Sequence, residues 1–154
     1  MKLKRAAFRH IEAEIYSYRD TLEAIKEFRQ MILLAGREEE LARVSGDRYA
    51  DSAVERRATK LADSILLREM DRITKAIEDT YAATREEGRR VIWVKYGLAI
   101  KWEPPTEIRA QIEGQNRFDM RARVMAEASG MDESTFHRYR TGFVFGVSER
   151  LGWY

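Results

Sequence analysis

Between Lys4 and Leu34 the chain has neither proline nor glycine, and apolar residues return at Phe8, Ile11, Ile15, Tyr18, Leu22, Ile25 and Ile32, alternately three and four apart. That is a heptad seam, and it commits this stretch to helix. Arg29 occupies the remaining seam position beside Phe28, so the seam departs from a strict coiled coil. At about 1.5 Å per residue such a helix would reach roughly 45 Å. Its apolar stripe needs a partner, either within the chain or from a second copy.

The rest of the chain extends the helical reading. Only two prolines occur in 154 residues, side by side at Pro104 and Pro105, and 35% of residues are charged. This composition suits long solvated helices with opposite charges along one face. With 44% apolar content the chain can bury a core. The Ala35–Asp51 stretch, with Gly36, the triplet Glu38–Glu40 and the Ser45-Gly46-Asp47 turn signal, is expected to be a loop with room for a helical turn. A second long helix is expected from Asp51 or Ser52 to Ala83, with a stripe that shifts from Ala58, Leu61 and Ile65 to Leu66, Met70, Ile73, Ile77 and Tyr81.

Thr84 reads as the N-cap of a shorter helix over Arg85–Tyr96, which Gly97 stops. Trp102 and the two prolines interrupt the pattern, Thr106–Ile112 allows one or two helical turns, and Gly114-Gln115-Asn116 reads as a loop. Helix resumes from Phe118 to Ala128 and again from an N-cap at Asp132 to about Arg150. Gly142 and Gly146 are expected to loosen this last helix.

The chemistry-bearing pattern is MAEASGMDESTFHRYRTGF, Met125–Phe143. Two helical patterns meet there at Gly130, in the spacing of a helix-turn-helix. A small residue (Ala126) permits close approach, Gly130 takes the left-handed turn, and Met131, Phe136 and Tyr139 fill the gap. The opposite face then carries Glu133, Ser134, His137, Arg138 and Thr141. In a duplex groove Arg138 could fork onto a guanine edge, and Ser134, His137 and Thr141 could exchange hydrogen bonds with bases. Arg140 and Arg121 could hold phosphate. The competing reading is an ordinary helical hairpin closed by glycine.

Other chemistry is poorly represented. There is no cysteine, so thiolate metal sites, disulfides and cysteine nucleophiles are excluded. His10 and His137 lack ligand-spaced companions. No glycine-rich phosphate loop, nucleophile elbow or zinc-protease helix is present, so neither an enzyme nor a cofactor-binding protein is expected. The net charge is only +2 and no segment is strongly basic, so any DNA affinity must come from placed side chains. Lys2, Lys4, Arg5 and Arg9 could touch a phosphate backbone, although such a cluster more often keeps a helix end soluble. Trp93, Trp102 and Trp153 sit in apolar surroundings and read as core. No continuous apolar run suits a signal peptide or a membrane span, and a cytoplasmic location is expected.

Three stretches, KLKRAAFRHIEAEIYSY, ERRATKLADSILLREMDRITKAIEDTY with RRVIWVKYG, and DESTFHRYRTGFVFGVSERLGW, resemble phage and prophage transcriptional regulators of the RinA/ArpU type. The C-terminal region of that family is similar to the helix-turn-helix of sigma-factor region 4. By position, Lys95-Tyr96 matches the close of the family's short helix, and Thr135, Phe136, Arg138, Tyr139 and Arg140 match its recognition helix. The chain departs from the pattern between Trp102 and Arg117, and at Gly142 and Gly146.

The resemblance implies a regulator of phage late or packaging genes, with double-stranded DNA and host RNA polymerase as partners. The expected architecture is all-α: residues 1–84 form a long helical hairpin for self-association, as a homodimer or higher homo-oligomer, and residues 85–154 form the DNA-binding domain. Two competitors are the small subunit of a phage packaging terminase and a helical adaptor that binds protein through the Phe8–Ile32 seam.

Overall fold

A computed structural model describes residues 2–45 and 50–154, with side chains described for 2–41 and 54–154. All of its regular structure is helical, and no strand occurs among the described residues. The helices are α1 (Arg5–Tyr16), α2 (Tyr18–Ser45), α3 (Ala50–Ala82), α4 (Glu86–Tyr96), α5 (Thr106–Ile112), α6 (Ala122–Ala128) and α7 (Glu133–Leu151), with a single 3-10 turn at Arg117–Asp119.

The chain folds into two compact units. Residues 1–17 and 75–154 form unit 1, and residues 18–74 form unit 2. This division differs from the expected boundary after residue 84, because α1 packs on α7. The heptad seam is therefore divided. Ser17 interrupts it with φ −87° and ψ 2°, its N–H still bonded to the Ala13 carbonyl. Ile11 and Ile15, both fully buried, belong to unit 1, whereas Tyr18 and Ile25 belong to unit 2.

Unit 2 is built on α2 and most of α3. The loop expected over Ala35–Asp51 is not found as such: α2 continues through Gly36 to Ser45. A single glycine costs a helix about 1 kcal/mol, which the strong helix formers around it offset. The expected turn at Ser45-Gly46-Asp47 lies mostly outside the described residues. Two ion pairs set the level of the helices against each other, Arg29 with Asp71 at 3.2 Å and Lys60 with Glu39 at 2.6 Å. Each sits in solvent and adds little stability by itself.

Unit 1 is organised by α4 and α7. The two helices pack together, α4 burying Ile92 and Tyr96 and α7 burying a row of Phe143, Val144, Val147 and Leu151. Helix α4 ends as its sequence requires. Gly97 is left-handed at φ +67°, its N–H bonds the Trp93 carbonyl at 2.8 Å, and the Arg117 guanidinium lies over the Trp93 ring at 4.8 Å. A cation there also opposes the negative end of the helix dipole. At the other end, the cap falls at Arg85 rather than at the expected Thr84, whose hydroxyl instead donates to the Thr80 carbonyl.

Candidate nucleic-acid interface

The second core of unit 1 supports the segment singled out in the sequence. Val91 and Val94 of α4, Ile108 and Ile112 of α5, Met125, Ala126 and Ala128 of α6, and Phe136 of α7 form one buried cluster, with Met131 and Tyr139 packed against it. Phe136 is 1% exposed, and burying a side chain of that size stabilises by roughly 2–3 kcal/mol. The short α6 has too few residues to persist without this support.

Between α6 and α7 the backbone makes a Schellman turn. The Met131 N–H bonds the Ala126 carbonyl at 3.1 Å, the Gly130 N–H bonds the Glu127 carbonyl at 3.0 Å, and Gly130 has φ +76°. A Cβ at Gly130 would meet nothing within 4 Å, so the demand for glycine there comes from the backbone alone. Ser129, buried, donates its hydroxyl to the Met125 carbonyl at 2.8 Å and closes α6 from the side chain.

Asp132 occupies the N-cap position of α7 with extended backbone, as expected. Its carboxylate accepts from the Thr135 hydroxyl rather than from a backbone N–H, and this bond holds its pKa below the ordinary aspartate value. On the inner side of α7, the Tyr139 hydroxyl donates to Glu87 at 2.7 Å. A Cβ on Gly88 would stand 2.6 Å from the Thr84 methyl and 3.3 Å from the Tyr139 ring, which together explain a glycine inside α4.

The outward side carries the expected residues. Ser134, Arg138 and Thr141 are exposed and His137 is half-exposed, all on one side of α7. Arg121 is exposed at the start of α6. Two acids temper this surface. Glu133 approaches His137 at 3.6 Å, and Glu127 approaches Arg123 at 3.5 Å. Arg123, 82% exposed on the first helix of the pair, is a cation that the sequence reading passed over; its signal was an arginine two residues beyond Arg121 and off the apolar stripe.

Arg140 is a correction. Its Nε and Nη2 bond the Glu12 carboxylate of α1 at 2.9 and 2.7 Å, and the two side chains are only 24% and 14% exposed. The Tyr96 hydroxyl donates to the same carboxylate at 2.6 Å. This guanidinium is occupied as an internal tie and is withdrawn from the phosphate contacts. The signal was legible: residue 140 lies four after buried Phe136 and three before buried Phe143, hence on the inner side of α7.

The remaining sequence candidates fall where their surroundings suggest. Lys2, Lys4, Arg5 and Arg9 are exposed, and His10 stacks against Trp153 with ring centroids 4.8 Å apart. Among the described residues no group of three or more acidic or histidine side chains could hold a metal ion, and no helix is long and apolar enough to cross a membrane. No family model, curated protein or solved structure matches this chain.

Proposed function

We propose that this chain binds double-stranded DNA through α6 and α7, laying the outward side of α7 in the major groove. One observation carries the reading. A glycine turn joins two helices in the motif's spacing, the inner side of the second is locked by Phe136 and Tyr139, and its polar side, Ser134, His137, Arg138 and Thr141, is left free to solvent. Arg138 reads a guanine edge, Arg121 and Arg123 hold phosphates, and Glu133 selects against a phosphate close to the start of α7. The narrower reading, a transcriptional regulator of phage or prophage genes acting in the bacterial cytoplasm, is supported by the RinA/ArpU-type resemblance of the three stretches named above.

Footprinting the purified protein on its own phage or prophage genome tests the proposal, followed by titration of the protected site and of random duplex at two salt concentrations. Specific binding that weakens with salt is expected. Arg138→Ala is expected to lose about 1–3 kcal/mol on the protected site and much less on random DNA. Arg140→Ala is expected to lower the melting temperature without changing that preference. A protein that leaves every duplex unprotected at low salt rules the reading out.

A further inference from the structure

The outer part of unit 2 is built inside out. The space between α2 and α3 is lined by Ala35, Glu38 and Glu39 of α2 and by Glu55, Arg56, Thr59, Lys60 and Asp63 of α3, of which Lys60 and Glu39 are paired at 2.6 Å. Aliphatic side chains point the other way. On α3, Val54, Ala58, Leu61 and Ile65 recur four, three and four apart on the side turned from α2, with the three larger ones 68%, 64% and 60% exposed. On α2, Leu34 and Leu41, seven apart, lie on the side turned from α3 and are 57% and 70% exposed.

A single chain gains nothing from this arrangement. The α3 stripe alone leaves on the order of 300 Å² of aliphatic surface in water, the size of the largest apolar patch on a typical monomer, and such patches are often interaction surfaces. The two stripes also differ in charge. Arg57 and Arg68, exposed, edge the α3 stripe, whereas exposed Glu27 and Glu38 edge the α2 stripe, Glu38 on the flank that also lines the space between the helices, with Arg37 on the far side. Stacking α3 on α3 would oppose like charges, and stacking α3 on α2 brings opposite ones together.

We propose that unit 2 joins copies of this chain head to tail, the outer stripe of α3 in one copy packing on the outer stripe of α2 in the next. Because the stripes lie on opposite sides of the helix pair, a two-fold dimer satisfies only one of them. A repeated head-to-tail contact satisfies both and closes into a ring of three or more copies, or extends as a chain. The inference stands apart from the DNA reading, since none of its residues lies in α6 or α7.

Sedimentation of the full chain is expected to give species larger than a dimer. Leu61→Glu/Ile65→Glu and Leu34→Glu/Leu41→Glu are each expected to be monomeric, with helical circular dichroism retained. Mixed together, they are expected to form a one-to-one heterodimer, because each keeps one intact stripe. The absence of native cysteine gives a second measurement: copies bearing only Leu34→Cys and copies bearing only Ile65→Cys should cross-link to each other more than to themselves under mild oxidation. A wild-type monomer, a closed two-fold dimer, a mixture that stays monomeric, or self-linking that equals cross-linking would each overturn the proposal. DNA affinity measured on the monomeric variants reports separately on α7.

Discussion

Arg138 and Arg140 stand two positions apart on the same helix and have opposite lives. A step of two residues turns about 200° around an α-helix, so one guanidinium reaches solvent and the other reaches Glu12 beneath the core. The residue types alone did not separate them; the positions of Phe136 and Phe143 did. Glu12 takes two bonds from Arg140 and one from Tyr96, which ties α1 and α4 to α7. Glu12→Ala would leave Arg140 mostly buried without its counter-charge, and unfolding titrations should show a loss of about 2 kcal/mol after allowance for the part still wetted. Tyr96 gives the pH counterpart. Burial first, and then the bond to Glu12, raise its pKa above the ordinary 10.0, because ionising the phenol would strand a charge in the core beside a carboxylate. The folded state holds this proton more tightly than the unfolded state. Its contribution is thus complete below pH 10 and is lost as pH rises beyond that. Tyr96→Phe should be about 1 kcal/mol less stable at neutral pH, yet lose stability less steeply above pH 10. Tyr16 and Tyr139, shifted in the same direction, leave a residual slope.

Glycines mark where elements meet, and α7 holds two with opposite consequences. The sequence reading takes Gly142 and Gly146 together as weak points, yet the helix runs unbroken from Glu133 to Leu151. A Cβ on Gly142 meets nothing within 4 Å, whereas one on Gly146 would stand 2.7 Å from the Thr80 methyl of α3. Thr80 cannot readily swing aside, since it is buried and its hydroxyl donates to the Ala76 carbonyl at 2.6 Å. Gly142→Ala should therefore stabilise unit 1 by about 0.5–1 kcal/mol, and Gly146→Ala should destabilise it by about 1 kcal/mol once overpacking is set against the propensity gain. Thr80→Ser, which removes the methyl, should recover most of that loss in the double variant, and thermal melts of the three proteins check the cycle. The same contrast explains what was legible. Helices α4, α5 and α7 and the turn at Gly130 were readable because local punctuation, Gly97, Pro105, Gly130 and Asp132, coincides with their ends. The break at Ser17 was not, because it turns on which apolar residues find neighbours, and the continuation of α2 through Gly36 was not, because helix formers on both sides outweigh the glycine. Position along a chain does not carry that information.

The division into units separates two ways of being stable. Unit 1 closes its own cores: Ile11, Ile77, Val91, Val144 and Phe136 are each almost fully removed from water. Unit 2 keeps Leu34, Leu41, Val54, Leu61 and Ile65 largely in water, and the ion pairs between its helices are exposed. Little in its outer part offsets the conformational entropy of ordering two long helices, which amounts to about 1–2 kcal/mol per residue. Under the head-to-tail contact proposed above, stability there comes from association and follows mass action, since anything that binds only the folded form stabilises it in proportion to the logarithm of its concentration. Unfolding of the intact protein is accordingly expected in two steps. Hydrogen exchange should find amides of residues 28–41 and 54–66 weakly protected in dilute protein and progressively more protected as concentration rises. Amides of α4 and α7 should hold the same protection throughout. In Leu61→Glu/Ile65→Glu the dependence on concentration should vanish while α4 and α7 are unchanged. Equal protection of both units at every concentration would mean that unit 2 is stable in a single copy, and that its aliphatic stripes are not what holds it together.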